Sequence, residues 1–165
     1  MTIEEMKIKH MGFRFRDTPR NEVRLDSGPN ADSLDWRDKG AVNPVEDEGA
    51  CGSTYAFSAL DSTEAQWFLK TGKLLALSKQ ALVDCSGTYG NLGCNGGLMD
   101  YCFAYMKDNG IPLTSEYPYK AVTSACQKFT PQFKVTGFVD VPENDGDALL
   151  TAANKTVVSV AIDII

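Results

Sequence analysis

The chain has 165 residues, 43% of them apolar, with 16 Lys and Arg against 22 Asp and Glu, one His and five Cys. That length and apolar share suffice for a packed core and exclude a disordered tail, a collagen-like repeat or a small disulfide knot. A net charge of −6 argues against a nucleic-acid partner, which needs a basic face, and no run of about 18 apolar residues exists to span a membrane.

In chain order, Glu4 to Met11 suits a short helix, and residues 17–33 read as an extended linker rich in turn formers. Met1 to His10 is polar, with no apolar stretch of the kind a secretory signal needs. Residues 1–33 balance six bases with six acids, so the acidic excess falls on the globular part, which starts near Leu34. Gly40, Pro44 and Gly49 then punctuate an irregular stretch. A helix is expected from Ser53 to Lys70, because Ala56, Leu60, Thr63 and Trp67 recur every three or four residues, and Thr71-Gly72 ends it. A shorter helix fits Ser78 to Asp84 with Ser78 as N-cap. A third runs from Leu98 to Lys107 and stops at Asn109-Gly110, with Leu98, Cys102, Tyr105 and Met106 on its inner face. Residues 134–141 and 157–163 are rich in β-branched side chains and are expected as strands. Helices first and strands later is an α+β order.

The stretch from Asp35 through CGSTYAFSA (51–59), LSKQALVDCS (77–86) and CNGGLM (94–99) to VVSVAID (157–163) resembles the papain family of cysteine endopeptidases, in its cathepsin L-like branch. MTIEEMKIKHMGF (1–13) resembles the end of that family's inhibitory propeptide. The resemblance implies a papain-like fold of two lobes, the helical left lobe largely present here and the β-barrel right lobe truncated. It divides the chain into a propeptide-tail remnant with linker, 1–33, and an incomplete peptidase domain, 34–165. It further implies an extended peptide as ligand, cystatin-like inhibitors as partners, a monomer, no cofactor, and a lysosomal or extracellular location.

By the same resemblance, the nucleophilic cysteine belongs at the N-terminus of the first long helix, where dipole and orphan N–H groups favour a thiolate. Thr54 stands there. Its hydroxyl has no comparably low pKa, its β-methyl group stiffens the side chain, and an internal Thr lacks the free α-amine that can serve as base. Glu48 stands at the oxyanion-hole position in place of Gln, and a carboxylate accepts where a donor is needed; a plain solvated loop acid is the other reading of that residue. The base and orienting residues, His and Asn in the family, are expected beyond Ile165. His10, the only imidazole, lies in the propeptide-like tail. Hydrolysis is therefore not expected of these residues, even after Thr54→Cys. A non-catalytic binder and a truncated gene product stand as alternatives. A hydroxyl followed by Tyr-Ala-Phe is also similar to silicatein, which keeps its histidine.

The resemblance pairs Cys51 with Cys94 and Cys85 with Cys126, bridges that need an oxidising compartment. Cys102 is left as a buried, inert thiol. Zinc lacks any CxxC or His-containing ligand spacing. Gly96, Gly97, Leu98, Met99 and Ala161 match the family's substrate-lining positions, with Leu98 and Met99 equally able to serve as packing. Asn154-Lys155-Thr156 is a glycosylation sequon.

Overall fold

The computed structural model describes residues 19–26 and 28–162. The helix expected over 4–11 and His10 lie outside them. Four α-helices occur among the described residues: α1 Thr54–Thr71, α2 Lys79–Cys85, α3 Met99–Asn109 and α4 Gly146–Lys155, with a 3-10 turn at Ser86–Tyr89 after α2.

α1 is the axis of the fold, and α2 and α3 pack against it. No Gly or Pro interrupts its 18 residues, and Ala56, Leu60 and Thr63 point inward as their spacing predicts. Trp67 is half-buried and meets the Phe133 ring edge-on at 5.3 Å. Gly72 ends the helix in the left-handed region, φ 70°, and returns its N–H to the Phe68 carbonyl. Ser78 caps α2 by accepting the Ala81 N–H at 3.0 Å. On α3, Cys102, Tyr105 and Met106 are buried, joined by Leu98 just ahead of the helix. Cys102, Tyr105 and Met106 form one apolar core with Tyr55, Ala59, Leu77, Leu82 and Ile111. Each fully buried Leu or Met contributes roughly 1.5–3 kcal/mol.

The expected strands are corrected. Among the described residues no strand ladder forms, and pairing is limited to isolated bridges: Gly52 with Asn95, Leu77 with Leu113, Ile111 with Phe133 and Glu22 with Asp140. Residues 133–138 keep a partial alternation, with Phe133, Val135 and Phe138 half-buried and Lys134 and Thr136 exposed. β-branched side chains describe a fit to a pleated, half-buried surface; a ladder also needs a neighbouring strand. This segment meets Ile111 at one end and Glu22 at the other, with no strand alongside. Residues 157–162 likewise carry no strand.

Two features were not legible beforehand. α4 starts at Asp145, whose Oδ1 accepts the Ala148 N–H at 2.9 Å, and buries Ala148, Thr151 and Ala152. The segment read as a linker is strapped to it. Arg20 donates to Glu143 at 3.0 Å and to the Val141 carbonyl at 2.8 Å, and Arg24 pairs with Asp145. Ala31 N–H reaches Asn154 Oδ1 at 2.8 Å, while Asn154 Nδ2 donates to the Leu150 carbonyl. The sequon asparagine thus uses both edges of its amide.

Candidate active site

The site is built on the loop that enters α1. The Cys51–Cys94 disulfide, Cα–Cα 4.5 Å, and the Gly52 N–H donated to the Cys94 carbonyl at 3.0 Å pin that loop to the segment before α3. A second disulfide, Cys85–Cys126, ties the end of α2 to the chain beyond Tyr119. Both pairings are those the resemblance implied. Pinning of this kind makes Thr54 the first residue of α1, with Ser53 as N-cap.

Glu48 is 7% exposed, so it is not a solvated loop acid. Its Oε2 accepts the Ser53 N–H at 2.7 Å, immediately before the helix. α1 has no acid in its own first turn, and the Glu48 carboxylate supplies the negative charge that the helix dipole favours there. Tyr119 completes the arrangement. Its O–H donates to the Glu48 carbonyl at 2.8 Å, which leaves Ser53 Oγ as donor in the 2.7 Å bond between the two hydroxyls. Its ring meets Phe57 edge-on at 5.1 Å. Burial raises the Tyr119 pKa, with the Ser53 hydrogen bond opposing. Sequence reasoning did not single out Tyr119, because its contact with residue 48 spans 71 positions and has no local signal.

Thr54 and Glu48 line a common cavity of about 950 Å³. Val42, Pro44, Val45, Phe57 and Val157 give it an apolar wall, and Glu46, Asp47 and Asp61 add further carboxylates. Beneath it lies a charged floor. Lys79 is 1% exposed, and its ammonium sits 2.6 Å from Glu46 Oε1 and 3.6 Å from Glu64 Oε1. Glu64, also 1% exposed, accepts the Leu77 N–H and Asn43 Nδ2, each at 2.7 Å. Burial raises the Glu64 pKa against the pull of Lys79. Burial lowers that of Lys79, but Glu64, Glu46 and Asp61 outweigh it and the ammonium is held charged. Among the described residues no group of three or more His, Cys, Asp and Glu is placed to hold a metal ion.

The other expected site residues lie elsewhere. Gly96, Gly97 and Leu98 are buried and Met99 is half-buried, and none of them lines this cavity. Asn91 organises them: its Oδ1 accepts the Leu98 N–H at 2.9 Å and its Nδ2 donates to Ser86 Oγ and Cys102 Sγ. A Cβ at Gly97 would fall 2.1 Å from Asn91 Oδ1, so only glycine fits. Ala161 is exposed and does not reach the cavity, which takes Val157 instead. Cys102 is fully buried and free, and burial pushes its thiol pKa upward despite the Asn91 contact.

Sequence and fold place the chain in a known class. Residues 30–165 match the family described as "Papain family cysteine protease", and the chain belongs to that family. Within it the chain is cathepsin L-like. It is 54% identical over 136 residues to a cathepsin L-like peptidase of Aedes aegypti, covering 79% of this chain and 40% of that one. It is 50% identical over 171 residues to procathepsin L of Mus musculus, covering 99% of this chain and 50% of that one. Among solved structures it is similar to the digestive procathepsin L 3 of Tenebrio molitor larval midgut, with 38% identity, TM-score 0.80, and 91% and 49% of the two chains covered. It is also similar to the proform of the ragweed pollen allergen Amb a 11, with 33% identity, TM-score 0.85, and 94% and 51% covered. The fold is papain-like, and the chain spans about half the length of the curated relatives it matches. No helix among the described residues is long and apolar enough to cross a membrane.

Proposed function

We propose that these residues form a cathepsin L-like peptide-binding site that holds peptides without cleaving them. One observation carries this reading: Thr54 begins α1 while the Glu48 carboxylate already occupies the Ser53 N–H in front of it. A threonine hydroxyl at a helix N-terminus stays protonated near neutrality, where a cysteine in such a place ionises. An oxyanion forming beside Glu48 would meet a charge of its own sign where the family offers an amide donor. Loss of one such donor alone costs on the order of 10²–10³ in rate.

In this reading Thr54 marks the nucleophile position and Glu48 the oxyanion-hole position, both substituted. Gly96, Gly97, Leu98, Met99 and Ala161 are held over as substrate-side positions, with a cystatin-like inhibitor as an alternative ligand. The two disulfides favour a lysosomal or extracellular setting. The opposing reading, active proteolysis, is favoured by identity near 50% to procathepsin L.

The test is to give the purified chain a fluorogenic Phe-Arg peptide substrate and, separately, a labelled peptide and a cystatin. Saturable binding without product release is expected. Sustained product release would reject the reading, as would the absence of any binding by a chain shown to be folded.

A further inference from the structure

We propose that Asn154 is a modification site that carries an N-linked oligosaccharide at the C-terminal end of α4. Asn154-Lys155-Thr156 is the single Asn-X-Ser/Thr triplet of the sequence, and its middle residue is not proline. Asn154 does not line the cavity in front of α1, so this site is separate from the peptide-binding one.

The amide geometry leaves room for the new bond. Asn154 is half-buried, and its Oδ1 accepts the Ala31 N–H at 2.8 Å. Nδ2 donates to the Leu150 carbonyl at 3.0 Å, which uses one of its two hydrogens. The other hydrogen has no partner among the described residues, and it is the one a glycan replaces. Both hydrogen bonds survive the modification, so the strap from Ala31 to α4 is kept. The backbone suits the site as well. α4 stops at Lys155 and Thr156 is extended, φ −163° and ψ 170°, so the triplet straddles a fraying helix end rather than a rigid interior. Leu150, one turn back on the same face of α4, is 48% exposed. A sugar on Nδ2 lies over that leucine and takes its apolar surface out of water. The disulfides Cys51–Cys94 and Cys85–Cys126 need an oxidising compartment, the setting in which secreted chains acquire such glycans. In the transfer, Nδ2 bonds to the anomeric carbon of a lipid-pyrophosphate-linked oligosaccharide. The bond from that carbon to the pyrophosphate oxygen breaks, the lipid pyrophosphate leaves with its electron pair, and the replaced Nδ2 proton passes to a base of the transferring enzyme.

The full chain, expressed in eukaryotic cells behind a secretion leader, is compared with Thr156→Ser, which keeps the triplet, and Thr156→Ala, which removes it and leaves the Asn154 amide in place. Thr156 Oγ1 makes only a 3.4 Å contact with the Val157 carbonyl, so neither change endangers the fold. Gel mobility before and after peptide-N-glycosidase digestion is read on chain that is secreted or sealed inside microsomal vesicles. The parent is expected to show one discrete shift that digestion removes, leaving aspartate at position 154 by peptide mass spectrometry. Thr156→Ser should retain the shift at least in part, and Thr156→Ala should lose it. A secreted or vesicle-sealed parent chain without the shift overturns the assignment, as does a shift that persists in Thr156→Ala.

Discussion

Replacing Lys79 with methionine isolates the charged floor of the site. The parent ammonium is 2.6 Å from Glu46 Oε1 and 3.6 Å from Glu64 Oε1, and Lys79 and Glu64 are each 1% exposed. Methionine keeps much of the stem's volume and removes the charge. Glu46 is 40% exposed and can turn to water, whereas Glu64 cannot and keeps only two neutral donors, the Leu77 N–H and Asn43 Nδ2. Stranding a buried charge in this way costs about 3–5 kcal/mol, a large part of the roughly 5–15 kcal/mol that holds a typical domain together. The pH dependence has a definite sign. Burial already raises the Glu64 pKa, and losing Lys79 raises it further. The folded state then binds a proton that the unfolded state releases near its ordinary value of about 4.3, so stability falls as pH rises through the window above that value. The penalty should therefore be greatest at neutral pH and smaller near pH 5. Urea unfolding followed by far-UV circular dichroism at both pH values measures it. The double variant Lys79→Met/Glu64→Gln should recover most of the loss. A penalty below about 1 kcal/mol at neutral pH, the scale of a surface ion pair, would refute the reasoning, as would an equal penalty at both.

Gly97→Ala should destabilise by roughly 1–3 kcal/mol, because the new Cβ would fall 2.1 Å from Asn91 Oδ1 and 3.0 Å from the Tyr55 ring; thermal unfolding reads it, and a parent-like midpoint would contradict it. Glu48→Ala should cost about 1–2 kcal/mol, since it removes the buried acceptor of the Ser53 N–H and the negative charge at the start of α1; the Cys51 carbonyl, 2.7 Å from the same N–H, limits the loss. Asp61 is exposed on α1, yet desolvation raises its pKa against the pull of Lys79. Asp61→Asn should therefore stabilise the chain only slightly at neutral pH and match it near pH 4, the solvent screening most of the penalty that the ionised group imposes on the native state. Denaturation midpoints across pH 4–7 test that sign.

The helices could be read from the sequence because their signals are local. The Ala56, Leu60, Thr63 spacing, the Ser78 cap and the Leu98, Cys102, Tyr105, Met106 stripe each fall within a few turns of chain. The disulfide pairing came from the family resemblance, as five cysteines alone leave several pairings open. The strands failed because Lys134 to Val141 has the composition of a strand but no strand beside it among the described residues. α4 escaped notice because Asn144-Asp145-Gly146 reads as a turn, and Asp145 proved to be its N-cap. In the site itself, Thr54 and Glu48 were marked in advance, but the burial of Glu48 was not. It depends on Tyr119, 71 positions away, just as the floor depends on Lys79 meeting Glu46 across 33. Such contacts are products of the tertiary fold.

The most direct test of the central claim is turnover of a fluorogenic Phe-Arg peptide by the purified 165-residue chain, beside Thr54→Ala and Thr54→Cys. The account predicts release indistinguishable from the buffer blank for all three, because the hydroxyl of Thr54 stays protonated, Glu48 opposes an oxyanion, and His10 is the only imidazole in the sequence. Turnover by the unsubstituted chain that disappears in Thr54→Ala would contradict it.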